Sequence, residues 1–179
     1  NITVTLVAHS MGGIVARLAP HLPNYVPRSV DTIITLSTPH AFPPVPIDRS
    51  LEGVYEQVNH QPPPHDEPAP LLISLAGGVL DTQLSSDASA LALAGIQTPL
   101  TRISSFTTAL SMLWSSVDHL AAVWCDQLRY KIARGLLLDY KYFGKVAEDR
   151  SEPDERIERH ELWRKLLGVP LDGATAEEG

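Results

Sequence analysis

The fold of this chain is decided by residues 2–17, which read ITVTLVAHSMGGIVAR. The stretch opens with an apolar run rich in β-branched residues, which predicts a buried strand. The run stops at AHSMGG, and a helical pattern begins at once with Ile14 and Val15. We therefore predict a strand, a sharp turn and a helix, with Ser10 at the apex of the turn. This order is typical of a nucleophile elbow.

The residues around Ser10 fit the steric needs of such a turn. The elbow strains the serine backbone and lifts its hydroxyl out of the sheet edge, so small residues must flank it. Gly12 supplies one of them, and Ala8 stands where G-x-S-x-G has its first glycine. The backbone N–H of Met11 is expected to face a developing oxyanion. The alternative is a strand-to-helix turn with an incidental serine.

Composition excludes several classes of function. The chain has 179 residues, enough for one domain with a real core, and its net charge of −7 argues against a nucleic-acid partner. Cys125 is the single cysteine, so an internal disulfide is excluded. The chain contains no uninterrupted run of about 18 apolar residues, so we predict no membrane span within it. No zinc-ligand spacing, phosphate-binding loop or EF-hand is present, so we predict no metal and no cofactor.

Patterning along the rest of the chain predicts an α/β fold. Three further segments predict strands, and the near-continuous apolar character of residues 30–37 indicates a buried parallel strand. We therefore predict a mainly parallel sheet flanked by helices. The predicted strands cover residues 30–37, 71–76 and 101–107, and the predicted helices cover 14–22, 48–60, 120 to about 136, and 155–167. The predicted inward face of the last helix carries Leu162, Leu166 and Leu167, and that of the helix before it carries Leu120, Val123, Trp124, Leu128, Ile132 and Leu136.

The chain opens inside a strand, without a methionine or a cap. We therefore expect it to be the C-terminal portion of an α/β-hydrolase that lacks its N-terminal strands. We assign residues 1–145 to this partial hydrolase domain. Within it, residues 41–70 form either a lid-like insertion or a plain surface excursion. Residues 146–179 form a charged C-terminal extension with a possible helix.

A serine nucleophile needs a histidine base, and the base needs an acid to orient it. In α/β-hydrolases the chain order is nucleophile, acid, histidine, each after a strand. His119 follows the fourth predicted strand, although a packing or capping role is its alternative. Asp81 follows the third strand, with Asp48 and Asp87 as rivals.

Other polar residues near these positions have lesser expected roles. Asp118 adjoins the predicted base and is expected to cap a helix. His9 lies beside the nucleophile and points away from it, so it is a candidate for the substrate-binding group rather than the base. His40 follows the second strand and is expected to line the pocket.

Four segments also carry a resemblance to a known family: AHSMGGIVAR, LSTPHAFPPVPID, GGVLDTQLSS and SVDHLAAVWCDQL. In this order, from about Val4 to Leu128, they resemble the GPI inositol-deacylase family, the PGAP1-like branch of the α/β-hydrolases. The elbow is shared with many lipases, whereas Asp-His-Leu followed by VWCDQL is the most specific piece. Ala8 departs from the glycine of the family.

The resemblance implies a function and the residues that perform it. Ser10, Asp81 and His119 match the catalytic serine, acid and histidine. The implied reaction removes the fatty acyl chain from the inositol of a GPI anchor, on a GPI-anchored protein or lipid. The implied location is the lumenal side of the endoplasmic reticulum membrane, held there by segments absent from this chain.

Two alternatives remain open. A soluble lipase or carboxylesterase would use the same chemistry on another ester. A truncated, non-catalytic remnant would act only by binding.

Overall fold

The computed structural model describes residues 3–44, 49–62, 69–95, 101–144 and 152–169, without the side chains of residues 152–154. Its centre is a four-stranded sheet in which every pairing is parallel and the strand order equals the chain order. The α/β fold class predicted from the sequence is therefore confirmed. The strands are β1 (Val4–His9), β2 (Val30–Leu36), β3 (Leu71–Ala76) and β4 (Arg102–Phe106).

Helices cover both faces of this sheet. Alternate residues of the central strands point to opposite faces, as strand geometry requires. Ile34 and Ile73 belong to the core shared with the last two helices, whereas Ile33 and Leu72 belong to the core shared with the first helix. The helices are α1 (Gly12–Leu18), α2 (Arg49–His60), α3 (Asp126–Phe143) and α4 (Glu152–Leu167).

The long helix predicted from Leu120 starts later than expected. Residues Ala121–Val123 form a separate 3-10 turn, and α3 begins at Asp126. Two backbone N–H groups of this turn, those of Leu120 and Ala121, approach the Asp118 carboxylate at 3.0 and 3.4 Å, and Cys125 then adopts an extended backbone that interrupts the helix. The predicted inward face is correct only from Leu128 onward.

The C-terminal helix packs into the same core as the sheet. Trp163 and Leu167 of α4 are 1% and 0% exposed, whereas Leu162, which was predicted to point inward, is only partly buried. The Trp163 indole donates to the Asp139 carboxylate at 2.6 Å, and Arg159 donates to the same carboxylate at 3.1 Å. Helices α3 and α4 are thus joined by a buried polar contact as well as by apolar packing.

Within the described ranges, no helix combines the length and the apolar character needed to cross a bilayer.

Gly135 is the point where α3 lets Trp163 approach. A Cβ atom there would overlap the indole ring and would lie 2.8 Å from a methyl carbon of Leu166. We expect Gly135→Ala to lower the free energy of unfolding by about 1–3 kcal/mol, because overpacking outweighs the better helix propensity of alanine. Urea unfolding of the two proteins measures the difference.

The control for this substitution is Gly53→Ala in α2, where a Cβ atom would meet nothing within 4 Å. There the same change is expected to stabilise the protein by about 0.5–1 kcal/mol. If both substitutions shift the unfolding midpoint in the same direction, the packing explanation for Gly135 is wrong.

Candidate active site

Ser10 lies between the end of β1 and the start of α1 in a strained backbone conformation. Its φ angle is 54°, which non-glycine residues rarely adopt. The Ser10 N–H donates to the carbonyl of Leu36 at 2.9 Å, and the Ser10 carbonyl accepts from the Thr38 hydroxyl at 2.8 Å. The end of β2 therefore holds the elbow in place, as expected where surrounding structure must maintain strain.

The two glycines after the elbow have different steric roles. A Cβ atom on Gly13 would overlap the Thr38 side chain, whose own Cβ atom would be 2.8 Å away. A Cβ atom on Gly12 would meet only the Cβ atom of Ala8, at 4.0 Å. The close approach predicted for Gly12 is therefore made by Gly13, where α1 crosses the end of β2.

The structure brings Ser10, His119 and Asp81 together. The Nε2 atom of His119 is 2.9 Å from the Ser10 hydroxyl oxygen, and its Nδ1 atom is 3.1 Å from each oxygen of Asp81. Both His119 and Asp81 are 6% exposed. A carboxylate accepts from Nδ1–H, which leaves Nε2 as the acceptor for the serine hydroxyl. This arrangement can activate a hydroxyl for attack on a carbonyl carbon.

A single carbonyl group joins the loops that carry Asp81 and His119. The Gly77 oxygen accepts from the Val117 N–H at 2.8 Å, the Thr107 hydroxyl at 2.9 Å and the Ser116 hydroxyl at 2.7 Å. A Cβ atom on Gly77 would overlap the Val117 carbonyl. Sequence patterning gave no signal for this junction, because hydroxyl and backbone groups from distant segments form it.

The Asp81 carboxylate has a second partner. The Leu84 N–H donates to one of its oxygens at 3.0 Å. The Ser116 hydroxyl also accepts from the Leu80 N–H at 3.0 Å. These bonds fix both the carboxylate and the backbone just before it, so its orientation toward His119 does not depend on His119 alone.

Met11 follows Ser10 and is the N-cap residue of α1. Its N–H donates to no acceptor among the described residues. The Tyr55 hydroxyl of α2 lies 3.9 Å from the Met11 sulfur and donates to the Pro39 carbonyl at 2.6 Å. Helix α2 therefore contacts the residue whose amide was predicted to face an oxyanion.

His9 contacts the base rather than the nucleophile. Its Nε2 atom is 2.8 Å from the backbone carbonyl oxygen of His119, and the two ring centroids are 4.8 Å apart. A carbonyl can only accept, so His9 Nε2 carries the hydrogen. The sequence placed His9 away from Ser10 but gave no indication of this partner.

His40 does not line an open pocket, which corrects the prediction. It is 0% exposed, its Nδ1 atom accepts from Arg17 at 3.2 Å, and its Nε2 atom is 2.9 Å from the Thr35 hydroxyl. Thr35 donates its own hydrogen to the Ile73 carbonyl at 3.1 Å, so His40 must donate to it. Both ring nitrogens are therefore engaged by the protein interior.

Burial and the Arg17 charge hold the pKa of His40 well below its usual value, with burial as the larger cause. Burial also lowers the pKa of Arg17 to about 10. The Arg17 guanidinium donates further to the Val58 carbonyl at 2.8 Å and the Asn59 side chain at 2.7 Å. This network ties α2 to α1 beneath the elbow.

The remaining candidates are not gathered at this site. Asp118 caps the turn after His119, as predicted. Asp87 is exposed on the loop after β3. Asp48 lies outside the described residues, as do parts of the 41–70 insertion and of the 146–179 extension. Across the described ranges, no group of three His, Cys, Asp or Glu residues is placed to hold a metal ion.

Large exposed apolar side chains flank both proposed partners of the serine. Val79 and Leu80, just before Asp81, are 85% and 54% exposed, and Leu120 and Trp124, just after His119, are 58% and 65% exposed. Hydrophobic side chains at this level of exposure suit contact with an apolar ligand or surface. The sequence patterning placed the last two residues on a buried helix face and so missed them.

Comparisons with known proteins identify the relatives of this chain. A family model described as the PGAP1-like alpha/beta domain matches residues 1–139. A GPI inositol-deacylase of Kluyveromyces lactis is 43% identical over 75% of this chain and 14% of its own length. Proteins of the same name from Eremothecium gossypii and Coccidioides immitis are 37% and 43% identical over 98% and 94% of this chain. The chain spans only 17% and 15% of their lengths.

The buried His40 predicts a pH dependence of stability. Below its ordinary pKa of 6.5, the unfolded chain binds a proton at His40 that the folded chain does not bind. The free energy of unfolding should therefore fall as pH falls below 6.5, by up to about 1.4 kcal/mol per pH unit from this residue. Urea unfolding at a series of pH values measures the slope.

His40→Gln is the matched variant, because a glutamine amide can accept from Arg17 and donate to Thr35 without titrating. Its unfolding free energy should decline less steeply over the same acidic range. Parallel curves for the two proteins would show that His40 becomes protonated in the folded state.

Proposed function

This chain belongs to the family of PGAP1-like alpha/beta domains, and on that basis we propose that it hydrolyses the ester joining a fatty acyl chain to the inositol of a GPI anchor. The observation that carries the proposal is the continuous contact from Ser10 through His119 to Asp81. The names of the relatives, GPI inositol-deacylase, support the choice of substrate.

In the proposed mechanism Ser10 attacks the ester carbonyl while His119 takes its proton. His119 then gives that proton to the departing inositol hydroxyl, leaving the acyl group on Ser10. Water, deprotonated by His119, releases the fatty acid and restores the serine. Asp81 holds the imidazole in the required tautomer, and the unpaired Met11 N–H stabilises the oxyanion.

His9 has a positioning role in this proposal. Its hydrogen bond to the His119 carbonyl holds the backbone of the base, and its ring packs beside the His119 ring. Donor and acceptor must stay within about 3 Å for proton transfer, so small displacements of the base are costly. The role assigned to His9 from the sequence therefore changes from substrate contact to support of the base.

The exposed apolar side chains beside Asp81 and His119 favour a long acyl chain over a short soluble ester. Val79 and Trp124 are the most exposed of them. We extend the proposal accordingly to a lipid or GPI-anchored protein as substrate, encountered at the lumenal side of the endoplasmic reticulum membrane. We propose that the insertion over residues 41–70 covers the bound substrate.

Ser10→Ala tests the proposed chemistry directly. We expect the substitution to lower the rate of acyl release from inositol-acylated GPI by at least about 10⁴-fold, because no other group supplies the nucleophile. It should also abolish covalent labelling by a fluorophosphonate. Unchanged acyl release by the variant would rule out Ser10, and absence of both activities in the parent protein would indicate a non-catalytic domain.

Asp81→Asn should reduce the rate by about 10⁴-fold through loss of the correct His119 tautomer. Asp87→Asn, which removes the same charge from an exposed loop position, is the control and should leave the rate unchanged. A short-chain nitrophenyl ester separates the substrate classes. Preference for that ester over acylated GPI would favour a soluble carboxylesterase.

His9→Phe tests the positioning role, since it keeps the ring but removes the N–H donor. We expect kcat to fall by about tenfold, the effect of losing about 1.4 kcal/mol of transition-state stabilisation, with KM unchanged. Steady-state kinetics on the short-chain nitrophenyl ester give both kcat and KM.

His9→Gln is the conservative variant, because its side-chain amide can still donate to the His119 carbonyl. It should recover a substantial part of kcat. Equal rates for His9→Phe and the parent protein would remove His9 from the mechanism. A rise in KM with kcat unchanged would instead indicate that His9 contacts the substrate.

A further inference from the structure

A cavity of about 580 Å³ lies between the first turns of α3, the last turn of α4 and the loop before His119. It is separate from the Ser10 contacts and plays no part in the proposed hydrolysis. Three cations line it, Lys131 and Arg134 from α3 and Lys165 from α4. Its volume is within the range of small-molecule sites.

Lys131 is buried at this cavity without a carboxylate. The residue is 8% exposed, and its ammonium donates to the Ser111 hydroxyl at 2.7 Å and the Leu166 carbonyl at 3.1 Å. Both acceptors are neutral, and an ammonium has three N–H donors. These two contacts leave one N–H of the ammonium without an acceptor among the described residues.

Arg134 adds a second positive charge to the same wall. Within the described part of the chain, neither Lys131 nor Arg134 has an ion pair. Burial, and then the Arg134 charge, lower the pKa of Lys131. Two like charges on one wall raise the free energy of the empty site, and an anion between them would lower it.

One carboxylate, that of Asp126, also lines the cavity, but it is directed elsewhere. Its side chain is 96% exposed and lies 4.0 Å from Arg129. The Lys165 ammonium lies 3.5 Å from the Glu161 carboxylate. Because the Lys165 side chain is 72% exposed, it has room to turn toward the cavity. The balance of charge on the wall therefore remains positive.

We propose that this cavity binds a phosphate ester, with Lys131, Arg134 and Lys165 as its cationic ligands. Arginine and lysine are the side chains that bind phosphate oxygens most often. Met112 and Tyr130, which are 70% and 60% exposed, form an apolar side next to the charges. That side suits the organic part of the ester, which is either a soluble phosphate or a phospholipid headgroup.

Calorimetric titration of the chain with inorganic phosphate and with inositol phosphate tests the site. Arg134→Gln and Lys165→Gln should each weaken binding by about tenfold, the effect of one lost charge-assisted contact. Asp126→Asn should strengthen binding, since it removes the one negative group at the wall. Lys131→Met should abolish binding. Circular dichroism checks that this variant keeps the secondary structure of the parent chain.

Lys141→Gln is the control, because it removes the same charge from the same helix at a position that does not line the cavity. It should bind phosphate as tightly as the parent chain. Equal weakening by Lys141→Gln and Arg134→Gln, or no heat of binding to either phosphate, overturns the proposal.

Vesicle sedimentation distinguishes the source of the phosphate. Vesicles of phosphatidylcholine containing phosphatidylinositol are compared with vesicles of phosphatidylcholine alone. Retention on the first type that is lost in Arg134→Gln identifies a lipid headgroup, and binding only to the soluble esters identifies a free ligand. Neither measurement involves ester hydrolysis, so the result is independent of the role proposed for Ser10.

Discussion

The parallel register of the sheet is the constraint on which the candidate site depends. His9 pairs with Leu36, Leu36 pairs with Leu75, and Leu75 pairs with Ser105, so all four strands end at one level. The chain leaves each strand at that same edge. Three side chains that are 38 to 109 residues apart can therefore meet, because each belongs to a segment that follows a strand at this edge. One residue of slip in any pairing would separate them.

Register alone does not align the groups, and the loops supply the rest. The Gly77 carbonyl accepts three hydrogen bonds from the segment that leads to His119, and the Thr38 hydroxyl holds the Ser10 carbonyl. Each contact joins segments that follow different strands. The serine, the imidazole and the carboxylate are consequently oriented before any substrate arrives, which is the condition under which such groups act most effectively.

The sequence predicted the frame of the site better than its contacts. Strand patterning and the elbow placed Ser10, and the order of strands placed His119, because these depend on local periodicity and connectivity. The contacts of His9, the burial of His40 and the contacts of Trp163 were not predicted. Their surroundings are a carbonyl from the other end of the chain, a buried guanidinium and a glycine on the neighbouring helix. Such partners are fixed by tertiary packing and leave no periodic signal.

The three buried cations of the described chain differ in how their charge is balanced, and the difference supports an external ligand at one of them. Arg159 contacts three carboxylates, those of Asp31, Asp139 and Glu155, within 3.5 Å. Arg17 has neutral partners, but they accept three of its hydrogen bonds inside a packed interior. Lys131 has two neutral acceptors and faces a cavity that Arg134 and Lys165 also line. Burial removes hydration from all three charges, and Lys131 has a cavity beside it in which a partner can bind. An anion from solution is therefore the most direct way to complete that site.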